Sequence, residues 1–331
     1  MGEQPQLNTG PAQAGPVASG VTDFEAGISA IDTEYVRPRL DASHLVVHGG
    51  RAAFVDTGTT LSVPNLLWAL DSKGVAREAV DWVFLTHVHL DHAGGAGALL
   101  EALPNARAVV HPRGAAHLVD PRRLETATRQ VYGDALYEQL YGAIVPIPAA
   151  RLVIAEDGSE LALADRRFRF MHTPGHALHH LAIHDPEARA VFTGDTFGVS
   201  YRALDVAGRP FVLPATTPTQ FDPDQLEASL DRVLGCAPDA VFLTHYSRVG
   251  DVARLAADLH AGIREYVAIA RRRAADPDPL AAITAEMMAW HWARLDDHGY
   301  RGGDAERAAV LADDIRLNAA GVVSWLSRRA G

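Results

Sequence analysis

Cysteine is almost missing from this chain: Cys236 is the only one among 331 residues. That excludes an intramolecular disulfide and any metal site built on several thiolates. Lysine is as scarce, with Lys73 alone, so arginine carries the positive charge. Even so, positive charge falls short: 30 Lys and Arg face 41 Asp and Glu, a net charge of −11. A nucleic-acid surface needs a basic stripe to neutralise phosphates, and this balance argues against one. No run of about 18 apolar residues is present to cross a bilayer. Residues 1–20 are rich in Gly, Pro, Gln and Ala, without the charged start and apolar core of a secretory signal. They read as a disordered leader, and the protein as cytoplasmic. A G-x-S-x-G elbow is also missing, which argues against a covalent serine nucleophile.

What is present suits a globular enzyme. Hydrophobic residues make up 48% and charged residues 21%, enough to bury a full core. Residues 21–250 alternate strand-like and helix-like patterns, the chain from Arg248 onward reads as wholly helical, and 251–331 form a helical subdomain. Phe24–Ile31, His44–His48 and Arg51–Val55 are expected strands, the last stopping at the turn Asp56-Thr57-Gly58. Val63–Ser72 places Leu66, Leu67 and Leu70 on one helical face. The run Trp82–Leu85 is short and apolar, as a buried strand is. Residues 121–141 read as one helix whose tyrosines serve packing. Short strands and turns fill 151–193, and a proline-bearing loop spans 197–221. Asp222-Pro223 then opens a helix, Asp at the cap and Pro in the first turn.

The strand at 82–85 runs into Thr86-His87-Val88-His89-Leu90-Asp91-His92, four metal- or proton-binding side chains within six positions. Imidazoles and carboxylates at this spacing are what a borderline divalent cation selects. His87 and His89 can point one way from an extended loop, and Asp91 and His92 toward a second centre. Further candidates stand at strand ends: His176 in Thr173-Pro174-Gly175-His176, Asp195 in Thr193-Gly194-Asp195-Thr196, and His245 after Leu243-Thr244. Seven ligands are more than one tetrahedral ion needs and suit two ions sharing a carboxylate. The segment Val83-Phe84-Leu85-Thr86-His87 also recurs letter for letter as Val241-Phe242-Leu243-Thr244-His245. Phe54-Val55-Asp56-Thr57-Gly58 is loosely echoed by Val191-Phe192-Thr193-Gly194-Asp195, so two similar β-α-β halves are expected to face each other.

T-H-x-H-x-D-H, T-P-G-H, T-G-D-T and L-T-H, in this order over about residues 24–250, resemble the metallo-β-lactamase superfamily. The resemblance implies a four-layer αβ/βα sandwich of two similar halves, here followed by a C-terminal α-helical subdomain. It implies that His87, His89 and His176 hold one metal, that Asp91, His92 and His245 hold a second, and that Asp195 bridges them. Two zinc ions per chain are expected, with iron or manganese as alternatives. Asp56 fits the superfamily's F-V-D-T-G element. Lactonases of this kind carry a tyrosine three residues after the bridging aspartate, where this chain has Gly198. Tyr201 and Tyr246 are then the candidates to donate to a substrate oxygen, and His180 to contact a ligand from behind. The expected activity is hydrolysis of a small ester, lactone or thioester by a metal-bridging hydroxide, with Asp91 as the proton carrier. Phosphoester hydrolysis and a mononuclear iron dioxygenase are the alternatives. The expected partner is a small-molecule substrate, with no nucleic acid and no membrane; a homodimer is left open.

Overall fold

The computed structural model describes residues 20–216 and 219–330, so the expected leader, Gly20 apart, lies outside the described residues. The chain lays down one sheet and then a second. The first opens with β1 (Val21–Asp23), β2 (Ile28–Asp32), β3 (Ala42–His48) and β4 (Arg51–Val55), an antiparallel meander. Helix α1 (Val63–Ser72) crosses over to β5 (Val80–Phe84), parallel to β4. Helices α2 (Leu90–Ala93) and α3 (Ala96–Ala102) lead to β6 (Arg107–Val110). After α4 (Ala115–Val119), α5 (Arg122–Tyr132) and α6 (Asp134–Tyr141), β7 (Leu152–Ile154) closes the seven-stranded sheet. The second sheet runs through β8 (Glu160–Leu163), β9 (Arg166–His172), β10 (Leu181–Asp185) and β11 (Ala190–Gly194). Helix α7 (Pro223–Leu234) crosses over to β12 (Ala240–Leu243), parallel to β11, and β13 (Ser247–Val249) completes the six strands. Three long helices follow: α8 (Val252–Arg273), α9 (Pro279–His298) and α10 (Asp304–Ala330).

Side chains alternate across each strand, and both faces of the central strands are covered. Val55, Phe84, Phe170, Phe192 and Phe242 point between the sheets, while their neighbours Phe54 and Val83 pack under α1 and α3. Val191 and Leu243 point outward into a core that continues without break through α7, α8, α9 and α10. This is the expected sandwich with its helical subdomain.

Three local expectations change. Phe24–Ile31 is not one strand: Ala26 and Gly27 take φ of 55° and 68°, turning the chain between β1 and β2. The helix expected over 121–141 breaks at Gly133, whose φ of 77° no helix accommodates. The chain is not wholly helical from Arg248, because β13 first pairs with β12. The cap of α7 forms as expected, with Asp222 Oδ1 accepting from the Gln225 amide at 3.0 Å.

The topology brings the C-terminal ends of β5, β9, β11 and β12 to one edge. Two backbone hydrogen bonds join the sheets there: Leu181 N–H donates to the Thr86 carbonyl (2.7 Å) and Ala42 N–H to the Thr244 carbonyl (2.8 Å). Each repeated Thr-His pair is thereby fastened to the opposite half.

Candidate metal centre

Seven side chains converge at this edge. His87 and His89 come from the loop after β5, Asp91 and His92 from α2, His176 from the loop after β9, and Asp195 and His245 from the residues after β11 and β12. Three nitrogens form one group: His87 Nε2 lies 2.8 Å from His89 Nδ1, which lies 3.2 Å from His176 Nε2. The second group is formed by Asp91, His92 and His245, with His245 Nε2 at 3.5 Å and His92 Nε2 at 3.7 Å from Asp91 Oδ2. Asp195 stands between them. Its Oδ2 is 3.3 Å from His176 Nε2, and its Oδ1 is 3.3 Å from His92 Nε2 and 3.6 Å from His245 Nε2.

These separations fit metal ligation. Ligands at about 2.05 Å in a tetrahedron lie roughly 3.3 Å apart. Two of the donor atoms, His92 Nε2 and Asp195 Oδ1, are buried without a hydrogen bond. Buried polar atoms are seldom left so unless a water or an ion completes them.

In four of the five imidazoles the nitrogen facing away is anchored, which sets that ring's tautomer. Thr86 Oγ1 donates to Asp56 Oδ2 (2.8 Å) and accepts from His87 Nδ1 (3.2 Å), leaving His87 Nε2 bare. His92 Nδ1 donates to Asp56 Oδ2 at 2.8 Å. His176 Nδ1 donates to the Ala215 carbonyl and His245 Nδ1 to the Leu40 carbonyl, both at 3.0 Å. Asp56, wholly buried, is the hub, since it also accepts from the Thr86 amide and the Thr244 hydroxyl at 2.8 Å.

The two groups differ in charge. Burial, then the neighbouring imidazoles, pushes His87 and His89 well below the usual histidine range, and burial lowers His176 as well. Burial opposes a proton on His92 and His245 too, but carboxylates prevail there. Asp195, Asp91 and Asp56 raise His92 well above its ordinary value. Asp195 and Asp91 raise His245 to about 10. One pocket therefore offers bare nitrogens, and the other attracts positive charge.

His180 does lie behind the centre. Its Nε2 accepts from the Asp195 amide (3.1 Å) and its Nδ1 donates to Thr173 Oγ1 (2.8 Å). The turn is tight: Gly194 has φ +47°, and a Cβ there would lie 2.7 Å from both His180 Nε2 and Thr86 Oγ1. Of the two tyrosines, Tyr201 is engaged within the protein, and Tyr246 is buried. The Tyr201 hydroxyl donates to Asp314 Oδ1 at 3.1 Å, so its proton is committed within the protein. Burial pushes the Tyr246 phenol up to about 12, and the charges acting on it belong to Asp32, Arg39, Asp41 and Arg202, none of them a candidate ligand. Sequence reasoning missed Asp41, wholly buried beside His245 and raised by burial to about 8, and also Arg37, Asp314 and Asn318. None stands in a motif, so no local signal marks them.

Fold and site together define a class. The chain belongs to the metallo-beta-lactamase superfamily, which it matches over residues 37–245. Proteins of this fold bind metal ions, and the clusters above could hold them. The chain is similar to the metallo-beta-lactamase fold-containing protein ST1585 of Sulfurisphaera tokodaii, 28% identical over 212 residues, 63% of this chain and 73% of that protein. The solved structure of ST1585 superposes with a TM-score of 0.62 at 21% identity, covering 89% of this chain and 98% of that one, a likeness of fold. A hydroxyacylglutathione hydrolase of Brucella anthropi is 27% identical over 284 residues, 83% of this chain and 91% of that enzyme. The acyl-coenzyme A thioesterase MBLAC2 of Gallus gallus is 31% identical over 116 residues, 33% of this chain and 39% of that protein. Among the described residues no helix is long and apolar enough to cross a membrane.

Proposed function

We propose that this protein is a dinuclear metal-dependent hydrolase acting on a small ester, lactone or thioester. The observation that carries this reading is Asp195, whose two carboxylate oxygens face different ligand groups, 3.3 Å from His176 on one side and 3.3 Å from His92 on the other. His87, His89, His176 and Asp195 would hold one ion, and Asp91, His92, His245 and Asp195 the other. Zinc suits these donors, and iron or manganese would be accepted by the same set. When bound, two such cations supply a water of lowered pKa and electrophilic assistance to a carbonyl.

The chain's own residues then divide the work. Asp195 is 7% exposed and is held as carboxylate well below its usual range, where His92, His176 and His245 outweigh the effect of burial. Asp91 is 25% exposed, so of the two carboxylates it is the one within reach of substrate. Burial would raise its pKa, but His92 and His245 prevail and lower it. Asp91 therefore stands as an acceptor that orients the nucleophile and passes its proton to the leaving group. Similarity along most of the chain to a hydroxyacylglutathione hydrolase favours the thioester among the three substrate classes.

Metal analysis of the full chain, followed by a panel of lactones, thioesters and phosphodiesters, tests the reading. Two ions per chain and turnover of a carbonyl substrate are expected. One iron per chain with oxygen uptake would overturn it in favour of a dioxygenase, and turnover confined to phosphodiesters would overturn the substrate class. Asp91→Asn should lower kcat by about 10²–10⁴-fold, the span of general acid–base catalysis, while the chain stays folded. Full activity in that variant would refute the role of Asp91.

A further inference from the structure

Helix α10 lies outside the sandwich, yet three of its residues four apart, Val310, Asp314 and Asn318, reach the segments that hold two of the metal-binding imidazoles. Such spacing puts them on one face. Asn318 is buried and grips residues 214–216. Its Nδ2 donates to the Pro214 carbonyl (2.8 Å), and the Thr216 amide donates to its Oδ1 (2.6 Å). Between those two contacts stands Ala215, whose carbonyl accepts from His176 Nδ1.

One turn earlier, Asp314 accepts from the Tyr201 hydroxyl, and the Arg37 guanidinium lies 4.7 Å from the centre of the Tyr201 ring. Arg37 Nη2 donates to the Val310 carbonyl at 3.3 Å, so the same helix grips both groups. Each also leads to His245. Tyr201 follows Ser200, whose amide donates to the His245 carbonyl at 2.6 Å. Arg37 is three residues before Leu40, whose carbonyl accepts from His245 Nδ1.

We propose that α10 is the brace of the metal centre, with Asn318 positioning His176 for the first ion and Asp314, through Tyr201, positioning His245 for the second. This rests on the metal-centre reading above. It does not depend on which substrate is cleaved. His87 and His92 need no such support, because Thr86 and Asp56 already fix them from within the sandwich. Neither Asp314 nor Asn318 is a catalytic residue; both act through others.

The test is competitive zinc titration of the full chain against a chelator, without substrate, resolving the two equivalents. Substituting a group that orients a metal ligand typically costs about 10–100-fold in affinity. Asn318→Ala is expected to weaken the equivalent bound by the three-histidine pocket about tenfold and leave the other near wild type. Asp314→Ala and Tyr201→Phe should do the reverse, with Asp314→Asn close to wild type because its amide oxygen still accepts. Tyr201→Phe keeps the ring and its packing, so the proposal stays open to refutation if an α10 variant does not fold. Folded variants that bind both equivalents like the wild type would overturn the proposal, and so would an equal loss at both pockets in every variant. Wild-type chain that binds zinc but hydrolyses nothing sinks only the hydrolase reading.

Discussion

In the first half of the sandwich Val55 pairs with Phe84, and in the second Phe192 pairs with Phe242, each just before a strand delivers Leu-Thr-His. From these matched positions the carboxylates diverge. Asp56 is the next residue after Val55, whereas Asp195 comes three residues after Phe192, past a register shift in β11. That offset puts Asp56 behind the ligands, where it collects the Thr86 and Thr244 hydroxyls and His92, and puts Asp195 in front of them. The repeated histidines diverge as well, His87 joining the three-histidine group and His245 the carboxylate-rich one. Duplicated strands thus supply symmetry, and a displacement of two residues in a turn moves a carboxylate from behind the ligand groups to between them. Support differs too: the first half braces its ligands internally, while the second draws on α10.

The comparison is broken most severely at the two aspartates. Asp195→Ala removes a donor from both pockets and should cost several kcal/mol of transition-state stabilisation, about 10³-fold or more in kcat/KM. Asp56→Asn keeps every donor and should instead weaken metal binding by about 10–100-fold. If both variants lose metal and activity alike, the division into support and bridge is wrong.

Proton release sharpens the contrast between the pockets. His87, His89 and His176, lowered by burial, favour the neutral imidazole with one bare nitrogen, whereas carboxylates raise His92 well above its usual value and His245 to about 10. A raised pKa means the proton is held below about 10, so a cation must displace it and affinity must climb as pH rises toward that value. Calorimetry in buffers of different ionisation enthalpy should find about two protons released at the carboxylate-rich pocket and about none at the other. Equal release from both would contradict the assigned charges.

The smallest expected effect separates the two threonines. Thr86 gives Asp56 both its amide and its hydroxyl and also accepts from His87, while Thr244 gives a hydroxyl alone. Each valine replacement leaves buried acceptor capacity unmet, at about 1–3 kcal/mol per lost partner. Thr86→Val should therefore lower the thermal midpoint of unfolding more than Thr244→Val does. The reverse order would show that the hub is anchored chiefly from the second half.

Much of the centre was legible because metal ligation is a local demand written in residue type. Four of the seven donors lie within six positions, and the other three follow the ends of strands. The repeat was legible because five letters recur in a matched order of elements. Asp56 could be noticed at its turn, but not as a hub, since three of its four donated hydrogen bonds come from Thr86 and Thr244, 30 and 188 residues away. The bond from Tyr201 to Asp314 was illegible for a similar reason: proximity in sequence to a ligand says nothing of where a phenol's proton goes.

The order of residues determined which side chains gather and on which strand ends, because hydrophobic alternation and turn chemistry act over a few residues. The tertiary structure alone decided which carboxylate stands between the ligand groups and which lies behind them, through strand register. It alone brought Asp314 and Asn318 to the segments behind His245 and His176, because hydrogen bonds across 102 to 113 residues follow from packing and leave no period in the sequence.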